Sequence, residues 1–152
     1  MTAEKKLQEL GITLPQAVAP QALYLPAKQV GNLLYVSGQI PVVDSKVLYT
    51  GQVGDVQTIE SGQEAAKICA INIIAVLKAF LGDLGKVTSI VKLQVFVSST
   101  ADFDKQHIVA NAASQLFVDV FGEAGKHARA AVGVAQLPLG ASVEVEAIVE
   151  VK

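Results

Sequence analysis

From Ala128 through Val143 the chain carries a single charged side chain, Arg129. Its segment reads His127-Ala-Arg-Ala-Ala-Val-Gly-Val-Ala-Gln-Leu-Pro138, apolar enough to form a strand buried on at least one face. A guanidinium in such a strand needs an anionic partner, because a charge taken out of water unpaired is costly. That partner is a carboxylate of the protein, with Glu144 and Glu146 of the following strand in range, or a carboxylate of a ligand. The first makes Arg129 part of a structural ion pair. The second makes it the floor of a binding site. Residue types alone leave both open.

Other side chains with chemical potential offer less. His107 and His127 lie far apart, and no cysteine or carboxylate completes a metal-ligand spacing with them, so they read as surface or capping histidines. Cys69 sits among isoleucines and alanines and reads as core packing. Ser37-Gly38 places a hydroxyl and an open backbone N–H at a strand end, or is simply a bend. Gly31, Gly38 and Gly51 lack the spacing of a phosphate loop. No nucleophile–base pair stands out.

The elements that position Arg129 follow from composition and periodicity. A chain of 152 residues fits a single domain over 1–152. Hydrophobic residues make up 51% and charged residues 17%, which predicts leftover apolar surface and a homo-oligomer. A net charge of −2 gives no basic footprint, so no nucleic-acid partner is implied. The lone cysteine fits a reducing compartment. The polar N-terminus and short apolar runs imply no membrane partner and a cytoplasmic location.

Leu7 and Leu10 predict a short helix over 3–11. Alternating runs predict strands over 22–26, 33–40 and 46–50, with Gly31-Asn32 as the turn between the first two and Asp44-Ser45 as the entry turn of the third. Ser61 and Glu64 have capping-box spacing, and the apolar positions that follow recur at helical intervals up to Gly82. A strand over 89–98, a helix over 103–121 and strands over 128–136 and 142–151 complete the order β-β-β-α-β-α-β-β. This is an α+β layer, a mixed sheet with two helices on one face.

Alternation also predicts the faces. Val143, Val145, Ala147, Val149 and Val151 belong under the helices, as do Val91, Leu93, Val95 and Val97. The bulky Val132 and Val134 are placed with them, which puts Arg129 on the helix-free face beside the small Ala131, Gly133 and Ala135. Tyr24, opposite Leu23 and Leu25, joins that face with Lys92, Gln94, Phe96, Glu144, Glu146 and Ile148. Such a mixture suits an oligomer interface containing a cleft. An ordinary wetted sheet face with salt bridges is the competing reading.

Four stretches in order carry a family resemblance. They are Gly31-Asn-Leu-Leu-Tyr-Val-Ser-Gly-Gln-Ile-Pro41, Val91-Lys-Leu-Gln-Val-Phe-Val97 followed by Asp102-Phe103, His127-Ala-Arg129, and Val134-Ala-Gln-Leu-Pro138 leading to Val143-Glu-Val-Glu-Ala147. Together they resemble the Rid family of reactive intermediate deaminases, also called the YjgF or L-PSP family, in a longer branch in which residues 1–20 are an added N-terminal extension. The resemblance implies a chorismate-mutase-like fold and a homotrimer with a ligand cleft at each subunit interface. Active members of that family hydrolyse enamines and imines of 2-amino acids, such as 2-aminoacrylate, to 2-keto acids and ammonia.

Carried onto this chain, the resemblance makes Arg129 the carboxylate-binding residue and gives Tyr24, Ser37, Gly38 and Glu144 places in the cleft. Glu144 would position the attacking water. Asn111 and Ser114 both match an asparagine of the second helix. No metal or organic cofactor is implied. The chain departs from the pattern in carrying His127 where active members have proline, and Ala131 in place of a common cysteine. A non-catalytic protein that holds a small carboxylate metabolite at the same cleft is the alternative. An endoribonuclease or translation inhibitor fits the acidic composition less well. A chorismate mutase is disfavoured because the face offers one clear arginine.

Overall fold

The computed structural model of the chain describes residues 1–17 and 23–152. A short helix α1 (Ala3–Glu9) precedes strands β1 (Ala27–Val30) and β2 (Leu33–Gln39) and a small hairpin, β3 (Val42–Val43) with β4 (Lys46–Val47). Helix α2 (Ile59–Leu81), strand β5 (Val87–Ser98), helix α3 (Gln106–Phe121) and strands β6 (Ala128–Val134) and β7 (Val143–Val151) follow. Five strands form one sheet in the order β1-β2-β7-β5-β6; β5 and β6 run parallel, and the other neighbours are antiparallel. The α+β layer expected from the sequence is therefore present, with α2 and α3 packed on one face.

The elements form where local chemistry dictates. The capping box of α2 uses Thr58 and Ser61 rather than Ser61 and Glu64: the Ser61 amide donates to Thr58 Oγ1 at 3.1 Å, and the Thr58 amide donates to Ser61 Oγ at 2.9 Å. Gly82 at φ 77° ends that helix. Helix α3 begins three residues later than its periodicity suggests, at Gln106. Asp44 and Ser45, at φ 51° and 65°, form the expected turn and fold the chain back onto Val42 and Val43, but the third predicted strand shrinks to Lys46 and Val47, since Tyr49 at φ 55° leaves the extended conformation. The Asn72 amide of α2 donates to the Ile40 and Val42 carbonyls at 3.0 and 3.1 Å and ties the hairpin to the helix.

Between sheet and helices lies the core. Leu34 and Val36 of β2, Ile90, Leu93, Val95 and Val97 of β5, and the five alternating residues of β7 from Val143 to Val151 are buried against Cys69, Ile73, Ile74, Leu77 and Phe117. Each valine, leucine, isoleucine or phenylalanine among them contributes about 1.5–3 kcal/mol on burial. The alternation in β5 breaks at a bulge between Ile90 and Lys92, so Ile90 is buried and Val91 turns outward, against expectation. Helix α1 buries Ala3 and Leu7, and its Glu4 carboxylate accepts from the Leu84 amide at 2.9 Å and from Lys78 at 3.1 Å.

The predicted first strand is displaced. Ala22 lies outside the described residues, and Leu23, Tyr24 and Leu25 form no strand; pairing starts at Ala27, which meets Val36. Leu23, Tyr24 and Leu25 are all exposed, so Tyr24 does not alternate against its neighbours.

Candidate active site at the edge of the sheet

Among the described residues, strand β6 is an edge strand whose only neighbour is β5. Its register pairs Leu93 with Arg129, Val95 with Ala131 and Val97 with Gly133. Side chains opposite each other in register share a face, and Leu93, Val95 and Val97 are buried under the helices. Arg129 therefore rises on the helix side, which corrects the expected assignment to the helix-free face. The small residues beside it are explained by the same geometry. Ala131 packs against the core, and a Cβ on Gly133 would meet the Gln106 amide nitrogen at 2.7 Å and Ser99 Oγ at 2.8 Å. They are small because α3 and the segment before it come down close, while Val132 points to the open face and is 42% exposed.

The guanidinium is held by α3. Arg129 Nη1 donates to Asn111 Oδ1 and to Ser114 Oγ, both at 3.0 Å, and Nη2 donates to the His107 carbonyl at 3.2 Å. Positions 107, 111 and 114 lie four and three residues apart, on one helical stripe. Both candidates for the helix position, Asn111 and Ser114, thus reach Arg129. None of the three acceptors is charged, and among the described residues Arg129 joins no salt bridge. Glu144 and Glu146 lie on the other face of the sheet, so the internal ion pair is not formed.

His127 completes the cluster. As the second residue before Arg129 it emerges on the same side. Its Nδ1 lies 2.6 Å from the Gly125 carbonyl and its Nε2 lies 2.9 Å from Ser114 Oγ. The ring sits edge-on to Phe117, 6.2 Å between centroids. Burial, with the nearby Arg129 charge, holds the imidazole below its ordinary pKa, against the opposing pull of the Gly125 carbonyl. Read as a surface or capping histidine from sequence, it is half-buried and bonded through both nitrogens; the i, i+2 spacing to Arg129 was the available signal.

The remaining sequence candidates gather on the open face, toward β2. A groove of ≈ 740 Å³ is lined by Tyr24, Tyr35, Ser37, Lys92, Gln94 and Glu146, among others. Ser37 Oγ donates to the Leu25 carbonyl at 2.6 Å and so fixes the segment that carries Tyr24. Glu144 pairs with Phe96 across β5 and packs its carboxylate into the space that Gly38 leaves by lacking a side chain. Burial first, then the neighbouring Glu146 charge, raises the Glu144 pKa above its ordinary value. One chain therefore brings Arg129, Asn111 and Ser114 together on one side of the sheet, and Tyr24, Ser37, Gly38 and Glu144 on the other.

A mixed five-stranded sheet with two long helices on one face, carrying an edge-strand arginine, defines an α+β protein of the chorismate-mutase-like class. Sequence comparison gives the family: the profile described as "YjgF/chorismate_mutase-like, putative endoribonuclease" matches residues 4–151, and the chain belongs to this YjgF, or Rid, family. It is 52% identical over 145 residues to Protein TCP17 of Trypanosoma cruzi, covering 95% of this chain and 91% of the relative. It is 32% identical to a protein of Dermatophagoides farinae named 2-iminobutanoate/2-iminopropanoate deaminase, covering 93% and 95%. A crystal structure from Shewanella oneidensis, described as a "putative endoribonuclease", superposes with a TM-score of 0.96 at 32% identity, covering 99% of this chain and 100% of that one. The names of these relatives thus include an imine deaminase and a putative endoribonuclease, while that of Protein TCP17 states no activity. No described helix is long and apolar enough to cross a membrane.

Proposed function

We propose that the protein hydrolyses enamine and imine intermediates of 2-amino acids, of the 2-aminoacrylate type, to 2-keto acids and ammonia. The observation that carries this reading is the state of Arg129. A guanidinium has five N–H donors. Three are spent on neutral oxygens of α3, so the positive charge is oriented but not neutralised. Among the described residues the Nε–H and one Nη2–H have no protein acceptor, and two such donors suit the two oxygens of a carboxylate. Lysine offers no equivalent fork.

The substrate is reactive before it binds, so holding it by its carboxylate beside a placed water supplies much of the required rate. Glu144 is our candidate for placing that water, with the Gly38 N–H and Tyr24 lining the cleft. Since Arg129 and Glu144 occupy opposite faces of one sheet, a complete site takes the edge of one copy and the open face of another. The exposed Tyr24, Leu25, Tyr35 and Val132 on the uncovered side fit that assembly, which we take to be a homotrimer. A carboxylate metabolite rather than a nucleic acid is the expected partner, since a single oriented guanidinium is not a phosphate-tracking stripe.

The test is keto-acid release from a system that generates 2-aminoacrylate. Wild-type protein is expected to accelerate it, Arg129→Ala to abolish it, and Arg129→Lys to lose about 10- to 100-fold, the equivalent of one or two hydrogen bonds to a charged group. Pyruvate binding that needs Arg129 but occurs without turnover would mark a carboxylate-binding protein instead. RNA cleavage insensitive to Arg129→Ala would favour the endoribonuclease name.

A further inference from the structure

Holding a carboxylate at Arg129 does not require an imidazole, yet the His127 ring has both nitrogens engaged. A carbonyl oxygen only accepts, so the 2.6 Å contact with Gly125 fixes the proton on Nδ1. In the neutral ring Nε2 is then a bare acceptor, and the Ser114 hydroxyl donates to it across 2.9 Å. Ser114 has one proton to give and has given it to His127, so it meets Arg129 Nη1 with a lone pair at 3.0 Å. The result is a chain of donors running in one direction, Arg129 to Ser114 to His127 to the Gly125 carbonyl. A hydroxyl bonded to a bare imidazole nitrogen, with the ring anchored through its other nitrogen, is the arrangement in which a hydroxyl can hand over its proton.

We propose that Ser114 and His127 form the proton path of the Arg129 site, in which Ser114 is the catalytic group and His127 the positioning residue that stores the proton. This rests on the deaminase reading above. After water has added to the imine carbon, the tetrahedral species carries a hydroxyl and an amino group on one carbon. Its hydroxyl proton passes to Ser114 Oγ as the Ser114 proton passes to His127 Nε2. The oxygen electrons form the C=O bond, the C–N bond breaks, and its electron pair leaves with nitrogen. The stored proton then returns through Ser114 to nitrogen, giving ammonia. The hydroxyl proton has moved to the leaving group, and Ser114 and His127 end as they began.

The surroundings suit a ring that starts neutral. From α3 it faces Ser114 and Phe117, from the turn Gly122–Gly125 the Gly125 carbonyl, and from β6 Arg129, which is the charged group of the set. The adjacent Lys126 is paired with Glu123 at 2.8 Å. Protonating His127 before the reaction would block the path, so turnover should fall on the acid side as the ring titrates.

The experiment measures kcat and KM against pH for wild type, His127→Gln, Ser114→Ala and the double variant, each confirmed folded by circular dichroism. Glutamine can still accept the Ser114 bond but cannot store a proton. For His127→Gln we expect kcat about 100-fold lower, the usual worth of a positioned acid–base group, with KM within about threefold and no acid limb. Ser114→Ala should lose kcat similarly and raise KM, because it also touches Arg129. The double variant should be no worse than Ser114→Ala alone, since the two act as one unit. A wild-type kcat and an unchanged acid limb in His127→Gln would overturn the proton path alone. Absence of keto-acid release by the wild type would overturn the deaminase reading and the path together.

Discussion

Leu93 and Arg129 stand side by side in the parallel register of β5 and β6, so both leave the sheet on the helix side. Leu93 is buried beneath the helices; Arg129, one strand further out, reaches past the sheet edge and lies along α3. That placement gives a half-buried cation three fixed neutral acceptors. It also separates Arg129 from Glu144 by the thickness of the sheet. The site is thereby split between two faces, and that division underlies each of the expectations below.

Gly38→Ala should uncouple activity from stability. An added Cβ would overlap the Glu144 carboxylate oxygen and approach its Cδ at 2.9 Å. Glu144 has a flexible side chain and can swing aside, so the fold should lose only about 1 kcal/mol or less, as most non-core substitutions do. Glu144 would then no longer be where the proposed water needs it. We expect turnover to fall as far as in Glu144→Gln, with a melting temperature close to wild type. A variant with full activity would show that the contact between these two residues is dispensable.

The Glu144 carboxyl has its own signature in stability. Its folded-state pKa is raised by burial and by Glu146. A raised carboxyl binds protons more tightly in the folded state, so its favourable contribution is complete below the unfolded pKa and is lost as pH rises through the folded one. At neutral pH the ionised group therefore opposes folding. Glu144→Gln should raise Tm at pH 7 and gain less, or nothing, near pH 4. Melting curves at the two pH values check this, and an equal gain at both would show that packing rather than charge is responsible.

Gly125→Ala should act in the opposite sense to Gly38→Ala. Here a Cβ would overlap the Phe117 carbonyl oxygen and lie 2.9 Å from the Val118 Cα, and backbone cannot rotate away as a side chain does. We expect a loss of about 1–3 kcal/mol, typical of overpacking. The Gly125 carbonyl that anchors His127 Nδ1 would shift with it. Denaturant unfolding gives the stability, and the ¹⁵N shifts of the His127 ring report whether the proton stays on Nδ1; an unchanged spectrum would show that the anchor tolerates the strain.

Much of the fold was legible because its signals are periodic. The alternation of β7 and the helical spacing of α2 each gave an element and a buried face without ambiguity. Other features were not. The bulge at Ile90 in β5 reverses the alternation of the residues before it, and nothing in a run of β-branched residues marks where a bulge falls. The Asp44-Ser45 turn is legible, but the length of the strand after it is not: Tyr49 at φ 55° interrupts the extended run, and only Lys46 and Val47 pair. The face of β6 runs against the expectation that bulk marks the core side. In an edge strand beneath a close helix the small residues face inward, and Val132 turns outward. Arg129, Asn111 and Ser114 were visible as candidates through family resemblance, but their contact depends on the register between β6 and α3, which no local pattern encodes. His127 was dismissed for lack of a metal partner, whereas its partners are a hydroxyl and a main-chain carbonyl.

The outward Val132 yields the final expectation. It lies on the uncovered face of an edge strand, 42% exposed, in register with Phe96, whose other partner is Glu144. If this face is covered by another copy of the chain, as the proposed trimer requires, Val132 becomes buried in the assembly. An aspartate there would place a charge in that contact, a desolvation cost with no compensating partner. Within the single chain the position is partly wetted, so Val132→Asp should leave the helices and sheet intact by circular dichroism. Light scattering should then report monomers where the wild type gives a trimer. Turnover should vanish with the assembly, although Arg129, Asn111, Ser114 and His127 keep their contacts within each chain. A Val132→Asp protein that remains a fully active trimer would place the interface on some other surface and would require Glu144 to play no part in the Arg129 site.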